Sequence, residues 1–70
     1  LLIGKQTYKV TFYCDGKIIN EINVAKGDLI ENIEEPQKNE YKFIGWFTDK
    51  EDKWNFYSDC VYCDLDLFAK

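Results

Sequence analysis

The first half of the chain alternates. Tyr8, Val10 and Phe12 are interleaved with Lys9, Thr11 and Tyr13, the period-two pattern of a strand with one buried face. Asp15-Gly16 follows, between Cys14 and Lys17. An Asp-Gly pair between apolar runs predicts a type I′ hairpin turn, because both central positions need positive φ. The return strand is expected over Ile18 to Ala25, with Ile18, Ile22 and Val24 on one face, interrupted by Asn20, and Ile19, Glu21 and Asn23 on the other. Lys26-Gly27-Asp28 ends it.

From Asp28 to Pro36 the pattern predicts a helix or helical turn, with Asp28 as a cap and Leu29, Ile30 and Ile33 as the apolar side. Pro36 terminates it. A piece this short needs a sheet to pack on. A third strand is expected over Tyr41 to Phe47. Strict alternation there would oppose Phe43 and Phe47 to Ile44 and Trp46, and Gly45 predicts a bulge that turns Trp46 inward. Thr48 to Asp64 is a long polar loop with apolar punctuation at Trp54, Phe56 and Val61. A structureless stretch of that length is uncommon in a compact domain, so Trp54 and Phe56 are expected to pin it to the core. The last strand covers Leu65 to Ala69, with Leu65, Leu67 and Ala69 inward.

Strand, strand, short helix, strand, loop, strand gives the fold class: α+β, mostly β, a β-grasp-like four-stranded sheet with one short helix or helical turn. In that arrangement the first and last strands lie side by side and parallel, and the second and third are the edges. Residues 1–6 form an N-terminal flank and residues 7–70 the single module. Seventy residues with 17% aromatics suit one domain with a modest core, since each large ring removes roughly 150–250 Å² from water.

The residues Tyr8-Lys9-Val10-Thr11-Phe12, Val24-Ala25-Lys26-Gly27, Pro36, Tyr41-Lys42-Phe43-Ile44-Gly45-Trp46-Phe47-Thr48-Asp49, Trp54-Asn55-Phe56 and Asp64-Leu65-Asp66-Leu67-Phe68-Ala69-Lys70 stand in an order and spacing that resembles the Listeria–Bacteroides repeat, of the type found as the B repeat of internalin B. The resemblance covers about residues 7–70. It implies a β-grasp-like module, used singly or in tandem in large secreted or wall-attached bacterial proteins, with no enzymatic activity and no catalytic residues to carry over. The matched positions are mostly aromatic, aliphatic or Gly, as in a packing pattern. Two features depart from the family: the Gly-rich turn after the first strand is here Cys14-Asp15-Gly16-Lys17, with one Gly, and the sequence stops at Lys70 where the family usually has Trp just after the Ala-Lys pair. The cysteines are also unusual for it.

Composition and charge narrow the function further. Thirteen acids against nine bases give net charge −4. With no Arg and with scattered lysines, nucleic acid is set aside as a partner. No apolar run approaches 18 residues, so no membrane span is expected. Without Met, and opening on Leu1-Leu2, the sequence reads as a segment of something longer.

Cys60-Val61-Tyr62-Cys63 has the spacing of a redox pair or half a zinc site. It lies in a loop rather than at a helix N-terminus, and with Cys14 the chain holds three Cys and no His, short of four zinc ligands. Cys14 and Cys63 are expected about six strand residues, or roughly 20 Å, apart, too far for a disulfide. Asp49, Glu51, Asp52 and Asp59 lack the ligand pattern and central Gly of an EF-hand loop. No metal, cofactor or catalytic residue is assigned, and no enzyme is expected. Trp46, Trp54 and Phe43 are read as core rather than as a sugar-stacking platform.

Tyr13, Ile19 and Phe68 are expected to point outward and, if contiguous, to form an apolar patch. The second strand carries few charges to protect its edge. The function expected is therefore a non-catalytic structural or spacer module of an extracellular or cell-surface bacterial protein, in contact with neighbouring domains of its own chain. The alternative is an adhesion module that binds a host or cell-wall protein through the outer sheet face or a sheet edge. A weak homodimer through that edge is also expected, and a redox or metal module through Cys60 and Cys63 stands third.

Overall fold

In the computed structural model, which describes residues 6–31, 35–36 and 40–70, four strands are built in chain order: β1 (Thr7–Cys14), β2 (Lys17–Ala25), β3 (Trp46–Phe47) and β4 (Leu65–Ala69). They form one mixed sheet in the order β2-β1-β4-β3. The first and last strands are central and parallel, with Val10 beside Leu65 and Tyr13 beside Phe68. The two flanking pairs are antiparallel.

The hairpin forms where expected. Asp15 and Gly16 adopt φ of 53° and 77°, and Cys14 faces Lys17 across them, the two-residue loop whose twist matches that of its strands. The register runs from Thr7 opposite Ala25 to Phe12 opposite Asn20 and then shifts, so that Tyr13 faces Ile18 and Ile19 is left as the extra residue. Such a bulge reverses facing beyond it. Ile18, expected inward with Ile22 and Val24, therefore lies on Tyr13's outward side, 57% exposed.

One face of the sheet carries the core: Val10 and Phe12 from β1, Val24 from β2, Trp46 from β3 and Leu67 from β4, closed by Ile30 and Val61 from the connecting segments. Leu65 and Ala69 pack against it, so β4 faces as its alternation predicts. Phe12 and Phe43 each meet Trp46 edge-on, with centroids 5.0 and 5.6 Å away, the arrangement that ring quadrupoles favour.

Two expected elements differ. The helix over Asp28 to Pro36 is absent among the described residues, of which 28–31, 35 and 36 are non-helical; 32–34, with Ile33, lie outside the description. The backbone after β2 is committed elsewhere. Gly27 donates to the Val61 carbonyl, Val61 donates to the Asp28 carbonyl, and Leu29 bridges Cys60. The Asp28 carbonyl, which a first helical turn would need as an acceptor, is thereby taken by Val61. The third strand also shrinks from Tyr41–Phe47 to Trp46–Phe47. Gly45, at φ 154°, breaks the alternation, so Phe43 and Trp46, three apart, both reach the core while Ile44 is exposed. Trp46 turns inward as predicted. Ile44 and Gly45 still donate to the Lys70 carbonyl, and Lys70 donates to the Gly45 carbonyl.

The long loop is ordered by local bonds. Thr48 and Asp52 close a turn that returns Lys53 to bridge Phe47, and Trp54 N–H donates to the Trp46 carbonyl at 2.8 Å. Asn55 and Asp59 close the next turn, with Asn55 N–H donating to Asp59 Oδ2 and Tyr57 N–H to Asn55 Oδ1. Trp54 and Phe56 pack on the core as expected.

Candidate interaction surfaces

Cross-strand partners share a face of a sheet. On the outer face the register sets Ile18 of β2 beside Tyr13 of β1, Tyr13 beside Phe68 of β4, and Phe68 beside Phe47 of β3. One apolar side chain from every strand thus forms a row across the sheet. The Tyr13 and Phe68 rings stack 4.9 Å apart, 14° from parallel. Lys70 Nζ lies 5.1 Å from the Phe47 centroid and 3.4 Å from Glu51 Oε1. The expected patch of Tyr13, Ile19 and Phe68 is therefore right in its two rings. The bulge puts Ile18 beside them and leaves Ile19 without a cross-strand partner. Phe47 was missed, although alternation resumed from Trp46 would have placed it outward.

Away from the row the outer face is polar. Lys9 Nζ reaches Glu21 Oε1 at 3.4 Å between β1 and β2. Asp64 Oδ1 accepts the Lys9 N–H at 2.9 Å, so a carboxylate caps the donor that β1 presents just before β4 begins.

The two sheet edges are unlike. The β3 edge is short and already engaged by the bridge from Lys53 to Phe47 and by the Trp54–Trp46 bond. The β2 edge is nine residues long, with Lys17 and Glu21 its only charges.

The groups considered for chemistry do not converge. Cys14 ends β1 while Cys63 precedes β4, and the parallel register sets these at opposite ends of the sheet. The three cysteines are free, and Cys60 Sγ rests 3.8 Å from the Ser58 carbonyl. Among the described residues no three Cys, Asp or Glu side chains gather as a metal site. An open cleft of about 1110 Å³ is lined by Ile30, Glu31, Phe43, Trp46, Trp54 and Phe56 among others. Trp46 forms only its floor, being 3% exposed. Trp54 Nε1 is buried there without a hydrogen-bond partner among the described residues. No helix among the described residues is long and apolar enough to cross a membrane.

Comparison with known proteins places this geometry. The model of the Listeria-Bacteroides repeat domain matches residues 8–70. Two proteins of Evansella cellulosilytica align over 66 residues, covering 90% of this chain. One, 35% identical, goes by the name of a Gly-rich membrane protein, and the other, 27% identical, by that of a membrane protein. The chain spans only 8% and 10% of their lengths.

Proposed function

The chain belongs to the Listeria-Bacteroides repeat family, and from that premise we propose that it is a non-catalytic spacer module, β-grasp-like and akin to the internalin B repeat, in a bacterial cell-surface or secreted protein. The observation that carries this reading is the central parallel pair. Because β1 and β4 run the same way, the chain arrives at one end of the sheet through Thr7 and leaves at the other through Ala69. Seven steps along β1 at about 3.3 Å each separate those ends by roughly 23 Å. Modules joined through such ends extend a chain, whereas adjacent termini would fold it back on itself. The small share of its relatives that the chain covers fits one unit of a longer protein. Small-angle scattering on two copies joined in tandem tests this reading. The maximum dimension grows by at least the length of the sheet if the module is a spacer. A tandem chain no longer than one copy refutes it.

A second reading, a protein-binding module, is favoured by the Ile18–Tyr13–Phe68–Phe47 row, since a continuous apolar strip is a common mark of a contact surface. Its test is titration of wall or host surface proteins against this chain and its Tyr13→Ser/Phe68→Ser variant. Saturable binding lost in the variant supports it, and binding that the variant keeps, or none at all, rejects it.

A further inference from the structure

The β2 edge is neither open along its whole length nor closed. Lys26 N–H donates to the Gln6 carbonyl at 2.8 Å, so Lys26 points its backbone groups at β1. In an antiparallel ladder these directions alternate along the strand. Asn20, Ile22 and Val24 therefore also face β1, while Glu21, Asn23 and Ala25 turn their N–H and C=O groups away from the sheet. Two of those outward groups are already satisfied. Glu21 N–H donates to Asn20 Oδ1 at 2.8 Å, and the Ala25 carbonyl accepts Asp28 N–H at 3.0 Å. Among the described residues, what stays open is the Glu21 carbonyl, both groups of Asn23, and the Ala25 N–H.

That remainder is self-complementary. We propose that the β2 edge pairs antiparallel with the β2 edge of a second copy of this chain, about a twofold axis at Asn23. In that register Asn23 exchanges both hydrogen bonds with Asn23 of the second copy, and the Ala25 N–H of each copy donates to the Glu21 carbonyl of the other. The bond the register would leave over runs from Glu21 N–H to the Ala25 carbonyl, and those are the two groups each copy satisfies within itself. No backbone group is stranded, which matters because an unpaired buried group costs as much as a lost hydrogen bond.

Side chains agree with the same axis. Glu21 faces Ala25, so no like charges oppose each other, and Ile22 faces Val24 on the core side. Shifting the axis to Glu21 would set two carboxylates face to face, which destabilises a cross-strand pair. The interface is isologous, each copy using the same patch, and it joins two four-stranded sheets into one. It does not depend on the spacer reading, which concerns the ends of the sheet.

Sedimentation equilibrium under reducing conditions, from micromolar to millimolar protein, should show a monomer–dimer equilibrium. Asn23 faces itself across the axis, so Asn23→Lys and Asn23→Glu should each weaken the dimer at least tenfold, and an equimolar mixture of the two should restore association as a heterodimer. Asn23→Pro removes an outward N–H without touching the β1 ladder, a placement that edge strands tolerate, and it should leave a folded monomer by circular dichroism. A chain that stays monomeric at millimolar concentration overturns the proposal. So does a dimer that all three variants keep, or a charge-swapped mixture that associates no better than either variant alone.

Discussion

The sheet presents two apolar faces that differ in what covers them. On the inner face Val10, Phe12 and Leu67 are fully enclosed by Trp46, Ile30 and Val61. On the outer face Tyr13, Phe68 and Phe47 are only half-buried, and Ile18 is open. Adjacent residues of one strand, Leu67 and Phe68, thus meet different surroundings. Apolar content alone does not say which face is core. That is decided by which face the connecting segments close over. Ile30 and Val61 come from the segments before and after β3, which are cross-linked at Leu29 and Cys60, and both close on the inner side.

The largest effect belongs to Phe12→Ala and Leu67→Ala. Each leaves a cavity in a fully enclosed site and should cost about 2–5 kcal/mol. A domain of this size has a small total stability, so urea titration should show either variant mostly unfolded in buffer. Native-like midpoints in both would mean that the inner face is loosely packed. Phe68→Ala, one residue away, should cost about 1–2 kcal/mol by the same titration, because its ring is only partly buried and its loss leaves no enclosed cavity. Equal losses at positions 67 and 68 would erase the distinction.

Smaller effects sharpen it. A double-mutant cycle of Tyr13→Ala and Phe68→Ala should return a coupling of about 0.5–1.5 kcal/mol for the stacked pair, whereas Ile18 and Phe47, at the two ends of the row, should show none. The smallest effect is expected from the Lys9–Glu21 pair, whose side chains are about half-exposed. Its coupling should be about 0.2–1 kcal/mol and should vanish in 1 M salt. A larger, salt-insensitive coupling would show that the outer face is covered after all.

Much of this architecture is legible in the residues. Alternation over Tyr8–Tyr13 and Asp15-Gly16 specify the hairpin, Leu65–Ala69 faces as its pattern requires, and the hairpin followed by a crossover implies the parallel central pair. The misses have one physical character: they depend on register or on distant partners. The bulge that turns Ile18 outward comes from how two strands align, and nothing in Lys17-Ile18-Ile19-Asn20 announces it. The Leu29 segment has a helical apolar spacing, but Val61 and Cys60, some thirty residues later, take its backbone groups. Of the two interaction surfaces, the rings at positions 13 and 68 were readable. The pattern of satisfied groups along β2 was not, since it rests on where Asn20 Oδ1 and Asp28 N–H fall in space.

The bridge from Lys53 to Phe47 has a consequence for how this chain behaves when crowded. Ribbon growth by strand stacking needs two free flanks on every unit, one to accept a neighbour and one to offer the next. Here one flank is occupied by the chain's own loop. If the β2 edges pair as proposed, lateral association would stop at that single event, because Lys53 already occupies the opposite flank at Phe47.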